Sequence, residues 1–465
     1  MFAANTYIER RAELARRIGK GLILIAGNMP SPNNYPNNAY YFRQDSTFLY
    51  YFGLNLPSLV GVIDAETGEA SLYGDDFTVE DIIWTGPQPS LVELGAHVGV
   101  AECNCRPAAA LRKTTGEAQA HGRRIHYLPP YRGETKMMLS ELLGLPTEQL
   151  HAQKSVDLMF AVAEMREVKS SEEIAELEKA FRIGYDMHLT AMRMCRAGVV
   201  EREIAGAIEG IAKSQGLGVS FPSIVSQHGE TLHNLNCDGV LENGRLLLCD
   251  AGAESVANYC SDHTRTYPVS GKFTARQRDV YDIVLRAHDE APKYMRTGAM
   301  YTDVHRAAYL TLAEGLRSLG LIKGSAEDAV DAGAMYLFMP HGLSHGLGMD
   351  VHDCEAMGER SFDFASIRER AAESATCIYR AAWRLRKGTV MSDEPGIYFI
   401  PALIDRSRSE GLYKGIVDYD ALDAYRDFGG IRIEDDIEVT DNGGRTIGDK
   451  RIPVTVAELE AAVGR

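Results

Sequence analysis

The chain has 465 residues, and its 49 Lys and Arg against 65 Asp and Glu give a formal net charge of −16. This length predicts roughly two to four domains at about 150 residues each. A hydrophobic fraction of 45% supports a sizeable core and excludes disorder, collagen and coiled coil as the dominant class. The acidic balance argues against nucleic acid or an anionic membrane surface as the main partner.

The cysteines and the first residues predict a reduced, cytoplasmic environment. The eight cysteines are scattered and form no CxxC pair, which is typical of small buried thiols rather than disulfides or a zinc site. The N-terminal segment MFAANTYIERRAELARR is amphipathic and lacks the apolar region of a signal peptide. No stretch approaches the ~20 apolar residues of a membrane span. We therefore expect no membrane partner.

The first 165 residues predict an α/β module. The run from Gly21 to Gly27, GLILIAG, indicates a short buried strand, and the turn formers of the following NMPSPNNYPNN predict a loop. The segment LVGVIDAETGEASLYG predicts two strands joined by a turn at Glu66 to Gly68. We assign residues 1–165 to this first domain.

Residues 166–465 predict a second domain of the α+β class. Ser170 precedes Glu173 by three residues and opens an apolar helical pattern, which indicates a capping box. Further helices are predicted over 201–215 and 275–296, and strand-like runs dominate from Phe221 onward.

Two aspartates mark a predicted hairpin in this second domain. The apolar run GRLLLCDAG ends near Asp250, and Asp262 begins the strand-like CSDHTRTYPV. Their separation of 12 residues is even, so the two carboxylates could meet on one face of a hairpin, although a bulge would alter that parity. Either aspartate alone would be interpreted as a turn or strand-end residue.

Three histidines lie within the segment HGLSHGLGMDVHD: His341, His345 and His352. The interleaved glycines disfavour a regular helix and favour a loop or bent strand that brings imidazoles and backbone close to a ligand. The alternative is a surface loop that happens to be rich in histidine.

Two glutamates complete the candidate cluster. Glu394 stands at a Pro-Gly turn in SDEPGIYF, and Glu434 lies on the apolar strand GGIRIEDDIEVT, facing the same side as Arg432. A buried carboxylate needs a partner, because burying it alone is costly. A salt bridge to an arginine and a metal ion are the two interpretations.

Together these segments predict a hydrolase with two metal ions. Four carboxylates and one imidazole form an oxygen-rich ligand set that suits Mn²⁺ or Mg²⁺. The carboxylates would repel one another unless two divalent cations neutralised them. Two such cations can share a hydroxide and promote displacement at a carbonyl or phosphoryl centre. Spacing alone does not identify the substrate.

In this order, these segments resemble the aminopeptidase P and prolidase branch of the methionine-aminopeptidase-like metallopeptidases. FRQDSTFLYYFG is similar to the signature of the family's N-terminal domain, and REVKSSEEI is similar to the opening of its catalytic domain. The resemblance covers nearly the whole chain. It implies a "pita-bread" α+β catalytic domain preceded by a smaller α/β creatinase-like domain.

The resemblance also implies metal ligands. Asp250 matches the acid that holds one metal, and Asp262 and Glu434 match the bridging carboxylates. His345 and Glu394 match the ligands of the other metal, and Glu394 also matches the general acid/base. The implied cofactors are two divalent ions, Mn²⁺ first, with Co²⁺ or Zn²⁺ as alternatives.

Substrate and supporting groups follow in the same way. His352 matches an imidazole that stabilises the tetrahedral oxyanion, and His233 matches a histidine that positions the scissile peptide. His341 matches a residue of the proline pocket, while Tyr398 and Arg432 match groups that orient metal ligands.

The implied activity is that of a Xaa-Pro aminopeptidase that releases the first residue of small peptides with proline second, through a metal-bridging hydroxide. A Xaa-Pro dipeptidase is the closest alternative. It needs a cation for the substrate's C-terminal carboxylate, and Arg380, with Arg384 and Arg386 nearby, is the candidate. A solvated basic helix face is the other interpretation of these arginines. A homodimer or homotetramer is also implied.

Two further classes use this fold. A creatinase-type amidinohydrolase lacks several of the metal ligands, and all five are present here. A non-catalytic peptidase-like binding module has usually lost the metal set and often carries a long acidic tail, which TVAELEAAVGR is not.

The sequence departs from compact family members at three places. The spacing between Asp250 and Asp262 is one residue longer, so the turn around residues 254–257 must absorb a residue. Segments 355–387 and 401–428 are also longer, and they either cap the site or extend the surface. None of these differences removes a ligand.

Overall fold

The computed structural model describes residues 2–234, 236–357 and 384–464. These residues form two compact units. The first comprises residues 2–165 with 355–357, and the second comprises residues 166–354 with 384–464.

The first unit is built around a five-stranded mixed sheet. The helices up to residue 167 are α1 (Ala4–Ile18), α2 (Ser46–Phe52), α3 (Val79–Thr85), α4 (Leu91–His97), α5 (Ala110–Ala120), α6 (Gly133–Leu143), α7 (Thr147–Gln153) and α8 (Val156–Glu167). The strands are β1 (Leu22–Ala26), β2 (Pro32–Tyr35), β3 (Asn38–Ala39), β4 (Val60–Asp64), β5 (Ala70–Tyr73), β6 (Cys105–Arg106) and β7 (Ile125–His126). The sheet order is β6-β5-β4-β1-β7.

The predicted strands of this unit are present. The GLILIAG run forms β1, which pairs antiparallel with β4 and parallel with β7. The predicted hairpin is β4 and β5, with Val60 opposite Tyr73. The predicted loop after β1 instead contains the exposed hairpin of β2 and β3. Because the strands of this hairpin are polar, their sequence has no hydrophobic alternation from which they could be predicted.

The second unit mixes helices with several small antiparallel sheets. Its helices are α9 (Ser171–Met194), α10 (Glu201–Gln215), α11 (Ala275–Glu290), α12 (Tyr301–Ser318), α13 (Ala326–Asp331), α14 (Pro401–Ser409), α15 (Tyr419–Leu422) and α16 (Val456–Ala462). Its strands are β8 (Gly218–Val219), β9 (Ile224–Ser226), β10 (Leu246–Ala251), β11 (Ala253–Glu254), β12 (His263–Pro268), β13 (Val390–Asp393), β14 (Gly396–Tyr398), β15 (Gly430–Arg432), β16 (Asp435–Thr440) and β17 (Gly443–Thr446).

Short 3₁₀ helices connect several elements: Glu102–Asn104, Ala291–Tyr294, Ala334–Leu337, Glu355–Met357 and Asp423–Tyr425. Across the described ranges, no helix is both long enough and apolar enough to span a membrane.

Local sequence signals explain how the helices of the second unit begin and end. Ser170 caps α9, and Glu173 completes the predicted capping box. Helix α10 has the predicted bounds, Glu201–Gln215. The helix predicted to reach residue 296 ends at Glu290 and continues as a 3₁₀ turn, because Pro292 has no N–H to donate within an α-helix.

The sheets of the second unit hold the predicted site. Strand β10 lies between β12 and β9, and Asp250 pairs with Thr264 in its antiparallel register with β12. The prediction of one continuous strand through IRIEDD is wrong, because the strand is interrupted between β15 and β16. There Glu434 leaves the line of the strand and donates its backbone N–H to the carbonyl of Thr264, at 3.0 Å. The interruption joins Glu434 to β12.

The seven described cysteines are free thiols, and four are buried: Cys195, Cys249, Cys260 and Cys354. The other three differ from the predicted burial. Cys103 is exposed, while Cys105 and Cys237 are intermediate.

Candidate metal centre

The structure brings the five predicted ligands together. They line one cavity of about 540 Å³ in the second unit: Asp250, Asp262, His345, Glu394 and Glu434. Four more predicted residues line the same cavity: His233, His341, His352 and Arg432. Tyr398 lies directly behind them, with its hydroxyl 2.9 Å from His341 Nε2. Residues separated by up to about 200 positions in the chain therefore share one site.

The five predicted ligands come from four segments of the fold: the β10–β12 pair, the end of β13, the break between β15 and β16, and the loop that carries His345. Asp250 lies on β10, and Asp262 immediately precedes β12, so the antiparallel pair carries both aspartates. Glu394 follows β13, where its backbone N–H donates to the carbonyl of Leu343 at 2.9 Å. Glu434 stands at the break between β15 and β16.

His345 is held by its neighbour Ser392. Its backbone N–H donates to Ser392 Oγ, and the Ser392 N–H donates back to the His345 carbonyl, both at 3.0 Å. This places His345 Nε2 at 3.4 Å from Asp262, 3.6 Å from Glu394 and 3.9 Å from Glu434. One imidazole nitrogen thus faces three carboxylates.

The carboxylates lie close together and are largely shielded from water. Burial, followed by the charge of Asp250, raises the pKa of Asp262 well above its ordinary value. Burial, followed by the charge of Asp262, does the same to the pKa of Glu434, and burial also raises the pKa of Glu394. Each shift reflects the cost of placing negative charges together in a poorly solvated site.

These residues fit divalent cations. Single ligand atoms of Asp262, His345 and Glu434 lie within 4.8 Å of one another. Asp250 Oδ1 and Asp262 Oδ1 are buried, and no donor in the described part of the chain reaches them. Buried polar atoms normally have a partner, and carboxylates with one imidazole suit oxygen-preferring metals. One guanidinium, that of Arg432, is too little charge to balance four carboxylates.

Arg432 connects several residues at the wall of the site. It is fully buried and donates to Asp250 Oδ2, to the Tyr398 hydroxyl at 2.9 Å and to Thr264 Oγ1 at 3.1 Å. Thr264 in turn donates its hydroxyl to Glu434 Oε2 at 2.7 Å. One guanidinium thereby fixes two of the five ligands, Asp250 directly and Glu434 through Thr264.

His341 and Tyr398 form a hydrogen-bonded pair. His341 Nδ1 lies 2.8 Å from the Gly342 carbonyl, so it carries the proton and leaves Nε2 to accept from Tyr398. Burial raises the pKa of Tyr398 to about 12, so the hydroxyl keeps its proton. The predicted proline-pocket residue and the predicted orienting tyrosine are therefore in contact.

His233 lies on an exposed loop that borders the cavity. The buried carboxylate of Glu201, at the start of α10, holds both ends of this loop. It accepts the Gln227 N–H at 2.8 Å and the Gly239 N–H at 3.1 Å. The sequence analysis missed Glu201, because nothing in its local pattern distinguishes it from an ordinary first-turn acid of a helix.

Two other supporting residues were also missed, Thr264 and Ser392. Thr264 follows Asp262 by two residues, so strand alternation could have placed it on the same face. Ser392 precedes Glu394 by two residues on β13, and the same argument applies to it.

Arg380, which was predicted to bind the substrate's C-terminal carboxylate in a dipeptidase, lies outside the described residues. Of its two neighbours, Arg384 donates to the Gly298 carbonyl at 2.8 Å and Arg386 pairs with Glu167. Residues 401–428 form α14, α15 and a 3₁₀ turn, and no residue of that segment is among the described residues that line the cavity.

Sequence and structure comparisons define the class of protein. The sequence pattern of Metallopeptidase family M24 matches residues 175–441, and that of the Aminopeptidase P, N-terminal domain matches residues 7–124. The chain therefore belongs to metallopeptidase family M24, whose members use divalent metal ions.

Its relatives include two kinds of peptidase. A human Xaa-Pro dipeptidase is 28% identical over the whole of this chain and 93% of its own length. A probable Xaa-Pro aminopeptidase, pepP, of Aspergillus fumigatus is 31% identical over 90% of this chain and 87% of its own length.

Solved structures agree with this assignment. Aminopeptidase P of Escherichia coli superposes with a TM-score of 0.80 at 27% identity, covering 99% of this chain and 98% of that one. Aminopeptidase PepP of Pseudomonas aeruginosa gives 0.80 at 25% identity, with the same coverage. The predicted pita-bread catalytic region with a preceding smaller α/β region is confirmed.

Proposed function

We propose that this protein is a metal-dependent Xaa-Pro aminopeptidase, which hydrolyses the bond between the first residue of a small peptide and the proline that follows it. The observation that carries the proposal is the convergence of five ligand-type side chains on one cavity: Asp250, Asp262, His345, Glu394 and Glu434. The relatives named above support the substrate class. We also propose that the two compact units are its domains, with the boundary between residues 165 and 166.

We assign the five side chains to two divalent cations. Asp250 would hold one, His345 and Glu394 the other, and Asp262 and Glu434 both. When bound, such a pair supplies Lewis acidity to the substrate carbonyl and lowers the pKa of a bound water. Mn²⁺ is the proposed metal because the ligand set is rich in oxygen, with Co²⁺ or Zn²⁺ as alternatives.

Glu394 is the proposed proton carrier. Its side chain is 15% exposed, the most of the five proposed ligands, which makes it the one most accessible to a substrate. A carboxylate in this position accepts a proton during attack and returns it as the peptide bond breaks. His341 Nδ1 lies 3.6 Å from Glu394 Oε2.

The histidines that border the cavity would hold the substrate. His352 donates to the oxyanion that develops on the carbonyl of the scissile bond, and His233 positions that peptide. His341 lines the proline pocket, with Tyr398 behind it. Apolar groups complete the cavity wall: Phe221, Pro222, Ile224, Leu232 and Val351. They suit a pyrrolidine ring better than a charged side chain.

Proline explains the need for such a site. The bond that precedes proline is a tertiary amide with no N–H, and the ring fixes φ. A peptidase that binds extended backbone through that N–H cannot use it here. A cavity that binds the carbonyl and the proline ring can recognise this bond without needing an N–H.

A Xaa-Pro dipeptidase is the second candidate, favoured by the human relative that spans the whole chain. It requires a cation near the free carboxylate of the dipeptide, and Arg380 is the proposed group. Of the two nearby arginines, Arg384 donates to the Gly298 carbonyl and Arg386 pairs with Glu167.

Peptide profiling tests the proposal. The protein is stripped of metal, reloaded with Mn²⁺ and given matched Ala-Pro-Ala, Ala-Pro and Ala-Ala-Ala peptides. We expect release of alanine from Ala-Pro-Ala, slow cleavage of the other two and none without metal. Fast cleavage of Ala-Pro alone would establish the dipeptidase. No cleavage, together with less than one metal per chain by elemental analysis, would establish a peptidase-like binding module.

We further propose, from the family resemblance, that the protein acts in the cytoplasm as a homodimer or homotetramer. Light scattering on the purified protein and fractionation of the source cells test these two points.

A further inference from the structure

The loop from His345 to His352 closes around a buried acid. The Asp353 N–H donates to the Gly346 carbonyl at 2.8 Å, so the residues that follow the two histidines are hydrogen bonded to each other. The Asp353 side chain is 3% exposed and points inside the loop, where Oδ1 accepts the Asp350 N–H at 3.3 Å. The position of His352 relative to His345 therefore depends on this carboxylate.

Two buried cations hold Asp353 from outside the loop. Arg166 Nη2 lies 2.5 Å from its Oδ1, and Lys169 Nζ lies 3.0 Å from its Oδ2. The side chains of Arg166 and Lys169 are 3% and 2% exposed. Because each carboxylate oxygen has its own charged donor, the carboxylate has one favoured orientation.

Only a glycine fits at position 348, next to this ion pair. A Cβ at Gly348 would lie 2.6 Å from Asp353 Oδ2 and 3.0 Å from Lys169 Nζ. The Gly348 carbonyl accepts the N–H of Cys260, two residues before Asp262. The same loop thus touches the segment that carries a proposed bridging ligand.

We infer that Asp353 is a positioning residue, which uses Arg166 and Lys169 to hold His352 against His345 in the orientation that the reaction requires. This inference rests on the proposed function, because it acts through the oxyanion contact assigned to His352. Buried ion pairs contribute little net stability and are often replaceable by apolar residues. A role in positioning gives this one a reason to be present.

A double-mutant cycle tests the inference. Asp353→Asn should lower kcat about 10- to 100-fold, because a misplacement of about 1 Å costs that much, with KM and Mn²⁺ per chain unchanged. In a His352→Ala background the same substitution should change kcat by less than about 2-fold, since the group it positions is gone. The control Asp303→Asn, at an exposed position on α12 outside this cluster, should change kcat by less than about 2-fold.

The outcomes separate the two proposals. An equal loss of kcat from Asp353→Asn in both backgrounds, or loss of metal along with kcat, would overturn the positioning role. Wild-type activity of His352→Ala would overturn the assigned role of His352 instead. If Asp353→Asn does not fold, the charge-balanced Asp353→Asn/Lys169→Gln variant enters the cycle in its place, and wild-type kcat in that variant would contradict the inference.

Discussion

The imidazoles of His345 and His352 are stacked, with ring centroids 3.9 Å apart and planes inclined by 14°. His345 turns its Nε2 toward three carboxylates, while His352 lines the cavity where substrate would lie. Since Ser392 holds His345 independently, the two rings have separable tasks.

Replacing His352 should therefore separate catalysis from metal binding. We expect His352→Ala to keep its metal and lose about 10²- to 10³-fold in kcat, the loss typical of an oxyanion donor. Steady-state kinetics with metal analysis on the same sample measures both. The exposed His121→Ala is the control, and a fully active His352→Ala would show that the assigned role is wrong.

Asp262 is the ligand whose loss should be most damaging. Because its carboxylate is assigned to both cations, Asp262→Ala should abolish turnover and release metal on dialysis. Elemental analysis and peptide hydrolysis measure the two effects, with exposed Asp303→Ala as the matched control. Retention of wild-type metal content would contradict the assignment.

Arg432 should influence metal affinity without binding metal. Lysine keeps its charge but cannot reach Asp250, Tyr398 and Thr264 at once. We expect Arg432→Lys to weaken Mn²⁺ binding about 10- to 100-fold, as other losses of ligand-orienting groups do. Competition with a metal-sensitive dye measures this. Tyr398→Phe removes one of the three contacts and should weaken Mn²⁺ binding less than Arg432→Lys does. A larger loss of Mn²⁺ affinity from Tyr398→Phe than from Arg432→Lys would refute this role of Arg432.

Metal removal should make stability sensitive to pH. In the metal-free protein, burial and neighbouring acids raise the pKa of Asp262 and Glu434, so the folded chain holds more protons than the unfolded chain above the ordinary carboxyl pKa. Stability of that form therefore falls as pH rises through this window. We expect the gap in Tm between Mn²⁺-loaded and metal-free protein to widen from pH 5 to pH 8. A constant gap would show that these carboxyls are not the metal site.

The sequence alone predicted the candidate ligands of the site better than the residues that hold those ligands in place. Short motifs around His345 and Glu394 are local, and their resemblance to a family pointed directly to the candidate ligands that the structure brings together. The contacts of Asp353 with Arg166 and of Thr264 with Glu434 join residues 187 and 170 positions apart, which no periodicity reveals.

The fold shows the same division. The apolar strand β1 and the capped helix α9 were predictable because hydrophobic pattern and capping act within a few residues. The break before β16 was not, because Glu434 leaves the strand to pair with β12, which is distant in sequence.

A crystal grown with Mn²⁺ and measured at the manganese absorption edge tests the central claim most directly. The account predicts two strong anomalous peaks enclosed by Asp250, Asp262, His345, Glu394 and Glu434. A map with no peak among these side chains, or with the side chains turned away from one another, would contradict it.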